Sequence, residues 1–353
     1  MIFTSIAIEN FRGIQSFTCD RLARVTLIVG RNNCGKTSVL EALMVLANRR
    51  TAQILPVLNN TRQLPTTRVA DLEVVFQDPT KPLSIQALDA KGVHRSVTVT
   101  RVEEEESTFH TRQNELTPEQ RYRLEQTFQD VRPGKAPITG CVHFTEEPDG
   151  DGWSLSYETA TDGAGKSFTD PQLALLPARG LDIMPKGLTQ LFMERAEHVL
   201  VEPLQRLDSR IQTVRLVDGK VMVGLEGQPR LLPFQILGDG AFRLFAILSM
   251  LWVCRGGCVC IDEIDNGLHN SVQPLVWETL IRYAQEWDIQ IIATSHHLDL
   301  LQAIDKVYKD NPDAIPPQDF AYIVLSREGN AIRPYAFDLT DLTSAIELGL
   351  EVR

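Results

Sequence analysis

Phe3, Ile6 and Ile8 open the chain as a strand, and the unbroken apolar run Val25–Val29 ends at Gly30 in the manner of a strand covered on both faces. Between Lys36 and Leu46 the period lengthens to that of a helix, through Val39, Leu40, Leu43, Met44 and, just beyond, Ala47. The stretch 51–185 is less regular. Alternation at Leu72, Val74 and Phe76, at Leu83, Ile85 and Ala87, and at Val97 and Val99 predicts strands, and Asp149-Gly150-Asp151-Gly152 before Trp153 predicts a turn between two more. Thr117–Phe128 reads as a polar helix started by Thr117-Pro118. Leu188–Leu207 has helical spacing, Val214–Val223 reads as a hairpin about Asp218-Gly219, and Gly240–Trp252 is apolar on nearly every side, as a buried helix is. A strand at 257–261, a helix near 270–286, a strand at 289–294 and a hairpin turning at Arg327–Asn330 complete the pattern.

Strands alternating with helices predict an α/β fold with a mostly parallel central sheet and helices on both faces. The strands after residue 51 predict an antiparallel β subsheet beside it. The division expected is an N-terminal lobe over 1–100, a variable insertion over 101–170 that is a candidate partner-binding element, and a C-terminal lobe over 171–353. The sequence has no internal repeat and no low-complexity tract.

The 353 residues are 43% hydrophobic and 23% charged, an ordinary globular composition, and carry a net charge of −11. That excess of acid weighs against the whole molecule being a nucleic-acid surface, although a local basic patch remains compatible with it. The chain lacks a continuous apolar stretch long enough to span a bilayer, and its start, MIFTSIAIENFRG, reads as a strand and not as a signal peptide. Cys258 and Cys260 share one side of a strand. The six cysteines are expected to be buried thiols in a reducing cytoplasm.

Gly30-Arg31-Asn32-Asn33-Cys34-Gly35-Lys36-Thr37 fits G-x-x-x-x-G-K-[ST] at every fixed position, after an apolar strand and before a helix, with Ser38 next inside the helix. Glycines let successive amides turn inward around phosphate oxygens, and the helix N-terminus adds partial positive charge. Lys36 is then the counter-charge to the β and γ phosphates, and Thr37 a hydroxyl for Mg²⁺. Gly163-Ala164-Gly165-Lys166-Ser167 has a similar ending but Ala160 in place of the first glycine and no apolar strand before it, so it reads as a solvated turn. Cys258–Ile261 runs into Asp262-Glu263, where one carboxylate would hold the metal and the next would polarise an attacking water. Ile291–Ser295 ends in His296, and this order and spacing resemble those of ABC-like ATPases, which implies a switch histidine reaching the γ phosphate. An N-K-x-D motif for guanine is absent. The bound nucleotide is therefore expected to be ATP.

Four further segments carry a resemblance. Ile8–Ile14 (IENFRGI) resembles the N-terminal strand and turn of the RecF, structural-maintenance-of-chromosomes (SMC) and OLD ATPases. Leu237–Arg243 (LGDGAFR) is similar to their signature motif, Asp262–His269 (DEIDNGLH) to the OLD-type segment joining the metal-binding strand to the following loop, and Leu348–Arg353 to the ending of small stand-alone members. The resemblance implies a P-loop NTPase of ABC-ATPase-like head type, without the TOPRIM nuclease domain of OLD proteins, since few residues follow His296. It implies that two heads sandwich two ATP molecules, with Gly238, Asp239 and Gly240 of one copy meeting the phosphate held by the other. Gly238 stands where such heads usually place Ser, so hydrolysis is expected to be slow or partner-stimulated. By the same resemblance Arg12 touches phosphate or base, and Gln77, in Phe76-Gln77-Asp78, is the candidate glutamine at the metal.

The functional expectation is an ATPase, with Glu263, Lys36 and His296 as its catalytic residues, that dimerises as a nucleotide switch for a separate effector such as a nuclease or defence protein. The alternative is a RecF-type DNA-repair ATPase binding DNA directly, through arginines such as Arg49, Arg50, Arg62 and Arg68 near the first helix.

Overall fold

Val25–Gly30 and its neighbours show why the chain folds in layers. Val25, Leu27 and Val29 enter one buried cluster while Ile28 enters a second, so this strand is a wall between two cores. The structure is a computed structural model and describes residues 1–51, 53–103, 122–149, 152–162, 172–178, 188–296, 299–312, 316–329 and 331–347. Along the described chain the elements are β1 (Ser5–Phe11), β2 (Ile14–Cys19), β3 (Val25–Gly30), α1 (Lys36–Ala47), α2 (Ile54–Thr61), α3 (Val69–Leu72), β4 (Leu83–Leu88), β5 (His94–Glu103), β6 (Tyr122–Val131), β7 (Ile138–Asp149), β8 (Gly152–Asp162) and β9 (Leu173–Leu176). They continue as α4 (Leu188–Met193), α5 (His198–Leu207), β10 (Ile211–Val217), β11 (Lys220–Leu225), β12 (Leu232–Pro233), α6 (Asp239–Val253), β13 (Cys258–Ile261), α7 (Gln273–Glu286), β14 (Gln290–Thr294), α8 (Asp299–Asp310), β15 (Phe320–Glu328), β16 (Ala331–Phe337) and α9 (Leu339–Glu347).

Three sheets result. The six-stranded one has the order β16-β15-β3-β14-β13-β9 and is parallel except at β16. A seven-stranded antiparallel sheet has the order β2-β1-β4-β5-β6-β7-β8, and β10-β11-β12 form a small third sheet. The fold is thus α/β with a mostly parallel central sheet. Residues 101–162, where described, lengthen the same antiparallel sheet that β1 begins. Helix α1 lies between the two large sheets, which is why Val39, Leu40, Leu43, Val45 and Leu46 are all fully buried. Its core holds Ile28, Cys258, Cys260, Ile292 and Ile323; the other, under α4–α8, holds Leu27, Val259, Ile261, Ile291 and Tyr322. Cys258 and Cys260 do share one side of their strand.

Three sequence expectations are corrected. Thr117–Phe128 is not a helix: residues 122–128 belong to strand β6, with 117–121 outside the described residues. Leu124 and Phe128 are compatible with either period. The residues that complete the inward face are the polar Gln126 and Asp130, buried against Arg49, and they conceal the alternation. Leu72–Phe76 is α3 followed by a 3₁₀ turn, with Leu72 and Val75 inside and Val74 exposed. Leu188–Leu207 is two helices, parted where Arg195 takes φ 56° and the Ala196 amide closes back on Leu191 O. The Gly163–Ser167 turn and the Leu348–Arg353 ending lie outside the described residues.

Candidate functional site

The loop Gly30–Thr37 joins the end of β3 to the start of α1. Gly30 has φ 146°, and a Cβ there would stand 2.6 Å from Leu325 O and 2.8 Å from Cys34 Sγ. Gly35, the residue before α1, has φ 92° and would drive a Cβ to 2.7 Å from Ile332 Cδ1. Both glycines are therefore demanded by backbone conformation and by β15 and β16 packed beneath the loop. Arg31, Asn32 and Asn33 are exposed along the rim, while Cys34 is buried under it and Ser38 is buried in the first turn of the helix. Lys36 curls back across the mouth, its Nζ donating to Gly30 O at 2.8 Å and Arg31 O at 3.2 Å.

Parallel pairing puts the ends of β3, β14 and β13 side by side, with β14 in the middle. This brings together Thr37 and Asp262, which are 225 residues apart: the Thr37 hydroxyl lies 3.0 Å from each Asp262 carboxylate oxygen. Thr294, from the middle strand, donates its hydroxyl to Asp262 Oδ1 at 2.7 Å and accepts the Glu263 amide at 2.8 Å. Glu263 itself sits at φ 47°, a left-handed conformation that costs a non-glycine residue about 1–3 kcal/mol. From α6, the buried Arg243 grips the same turn, with Nη2 donating to Asp262 O at 2.6 Å and Glu263 O at 3.1 Å and Nη1 donating to Pro177 O at 2.8 Å. Burial pulls this guanidinium below its usual range, opposed by Asp262, Asp265 and Glu263. Sequence reasoning assigned no role to Thr294 or Arg243. The signals available were the hydroxyl closing the β14 run and the arginine closing LGDGAFR.

The other candidates fall into two groups. Gly238, Asp239 and Gly240 enter α6 and, with Gly267, Leu268 and His269, line a cavity of about 530 Å³. It also reaches Asp208 and Ser209 at the end of α5. His269 is locked there, with Nδ1 3.0 Å from Ser271 Oγ and accepting the Ser271 amide at 3.3 Å. His296 is exposed two residues beyond Thr294, and its neighbour His297 lies outside the described residues. Gln77 is exposed on a segment whose amide bonds Asn10 O at 3.2 Å; among the described residues, hydrogen bonds from its side chain to Thr37 or Asp262 are absent.

Arg12 does not face the loop. It is turned into the lobe, 3.3 Å from the buried Glu41 carboxylate and donating to Asn59 Oδ1 at 3.1 Å and Val74 O at 3.3 Å. The reason is electrostatic: Glu41, on the buried α1, needs counter-charge, which Arg12 and Arg62 supply together. Three of the four arginines considered for DNA are similarly engaged. Arg49 and Arg50 both bind the buried Asp130, and Arg62 binds Glu41.

Residues 25–302 match the family described as AAA domain, putative AbiEii toxin, Type IV TA system. A Helicobacter pylori protein named ATP/GTP phosphatase is 22% identical over 346 residues, 90% of this chain and 90% of that protein. A protein of Methanocaldococcus jannaschii, MJECL10, is 39% identical over 46 residues, 13% of this chain and 21% of its own. In three dimensions the chain is similar to an SMC head bound to the C-winged helix domain of ScpA, with TM-score 0.50 and 13% identity, covering 98% of this chain and 100% of that one. That likeness is one of fold.

Proposed function

This chain belongs to that AAA-domain family, and from this premise we propose that it binds ATP with Mg²⁺ at Gly30–Ser38, closes as a homodimer around two nucleotides, and hydrolyses them to switch a separate effector protein. The observation that carries the reading is the meeting of Thr37 and Asp262 at 3.0 Å beside the Lys36 ammonium. A hydroxyl and a carboxylate are hard oxygen donors and suit Mg²⁺, which when bound supplies positive charge against the phosphates. Lys36 exchanges its loop carbonyls for phosphate oxygens. Glu263 is the general base toward water, with its amide held by Thr294 and its carbonyl by Arg243. His296 is the residue that reads the γ phosphate, and Gln77 reaches the metal only if its segment moves inward. The cavity at Gly238–Gly240 receives the phosphate of the second copy, and Asp239, which lines it here, has to swing outward as it does so. The name of the Helicobacter pylori relative, ATP/GTP phosphatase, agrees with hydrolysis. The division into lobes 1–100 and 171–353, with 101–170 as the partner-facing element, belongs to the same proposal. The engagement of Arg49, Arg50 and Arg62 by buried carboxylates counts against direct DNA binding.

The test is the size of the protein in solution with and without ATP, together with its turnover of ATP. Glu263→Gln is expected to bind ATP, stop turning over and accumulate as an ATP-dependent dimer; Lys36→Ala is expected to lose nucleotide binding. A Glu263→Gln chain that stays monomeric in saturating ATP would remove the sandwich. Undiminished ATP affinity in Lys36→Ala would remove the site. Duplex DNA is expected to leave turnover unchanged.

A further inference from the structure

Five of the six cysteines are buried, contrary to the expectation of six; Cys141 is half-exposed. It lies on the outer face of the seven-stranded sheet. On β7, Val142 and Phe144 point inward and are fully buried, so Cys141 and His143 share the face away from the core. Register sets Thr127 and Ala160 opposite Cys141, and Glu125 and Glu158 opposite His143. Cys141 Sγ is 3.4 Å from His143 Nε2, and His143 Nδ1 is 3.8 Å from Glu125 Oε2. The thiol is within hydrogen-bond reach of Nε2, while Nδ1 is buried without a hydrogen-bond partner and has the Glu125 carboxylate as a charge nearby. Cys141 also lines a groove of about 500 Å³ with Ser96, Thr98, Thr127, Gln129 and Thr139. Its polar lining is hydroxyl and amide, without a charged side chain.

From this juxtaposition we infer that Cys141 is a site of reversible thiol–disulfide exchange, taking an uncharged, polar, low-molecular-weight disulfide in the groove. His143 Nε2 accepts the thiol proton. The Cys141 sulfur forms a bond to one sulfur of the disulfide as the S–S bond breaks, and the departing thiolate takes the proton from His143. Cys141 is oxidised to a mixed disulfide with one half of the reagent, whose sulfur keeps its oxidation level, and the other half leaves reduced as a thiol. Glu125 is a positioning residue that acts through its charge, favouring the protonated ring from 3.8 Å. The remaining five thiols are buried out of a reagent's reach, and burial also raises Cys19 and Cys258 above the ordinary thiol range and pushes Cys254 up to about 12.

The full-length protein is treated at pH 7 with bis(2-hydroxyethyl) disulfide and the modified cysteine located by peptide mass mapping. Cys141 is expected to carry the mixed disulfide before the other five. Its rate in the folded protein is expected to exceed that in urea by about a hundredfold, the modest end of what a placed proton acceptor contributes. His143→Gln is expected to erase that advantage, Glu125→Gln to reduce it, and Cys141→Ser to leave ATP turnover unchanged. The assignment fails if folded Cys141 reacts no faster than the unfolded residue, or if His143→Gln keeps the wild-type rate. The comparison of folded with unfolded wild type needs no variant and decides the matter should His143→Gln not fold.

Discussion

Thr294 uses one hydroxyl twice, as donor to Asp262 and as acceptor for the Glu263 amide. Thr294→Val keeps the shape and removes both bonds, leaving Glu263 in its left-handed conformation without that anchor. Turnover is expected to fall by roughly a hundredfold, the loss typical of one preorganised polar contact, while ATP affinity stays near the wild-type value. Steady-state kinetics set beside titration with a fluorescent nucleotide would check this. An equal loss in both would move the role of Thr294 from catalysis to binding. At this scale the loop and the Asp262-Glu263 pair were legible because their chemistry demands fixed spacings. Thr294 and Arg243 were not, because their value depends on which backbone groups the fold brings to them. The contact of Arg12 with the buried Glu41 was not legible either, because neither residue alone announces that pairing.

Strand β6 shows how an element is hidden by what it carries inward. Arg49, from the end of α1, donates through Nε to Asp130 Oδ1 at 2.8 Å, and Gln126 donates to Arg49 O at 2.7 Å. These bonds tie the helix that follows the phosphate loop to the fifth strand of the antiparallel sheet. Asp130→Asn leaves the guanidinium buried without its counter-charge and is expected to cost about 3–5 kcal/mol in urea unfolding. Replacing both partners with apolar residues is expected to recover most of that. A destabilisation well below 1 kcal/mol for the single change would mean that the pair is solvated. Strands and helices with a single apolar period were legible, as α1, α6, β13 and β14 were. The polar-cored β6 and the glycine-free break between α4 and α5 were not.

Over the whole molecule, the strands β3, β13, β14 and β15 each give alternate residues to both cores. The two cores are therefore expected to unfold as one. Ile28→Ala, on the side of α1, should cost about 2–5 kcal/mol. In a Trp153→Phe background the tryptophan signal comes from Trp252, Trp277 and Trp287, all in or against the opposite core. Its urea midpoint should fall as far as that followed by circular dichroism; an unmoved tryptophan transition would show that the cores melt separately. The parallel α/β class was legible from alternating elements. That the irregular middle of the chain would extend a single antiparallel sheet was not, because its pairing is set by strand register and not by any local motif.

The floor beneath Gly30 is the carbonyl of Leu325, contributed by β15, far later in the sequence. A ribosome therefore delivers the loop well before it delivers the support. Nascent chains released before β15 would carry the whole glycine-lysine motif yet have nothing to shape it, so the ability to hold a nucleotide should arrive late and abruptly during translation.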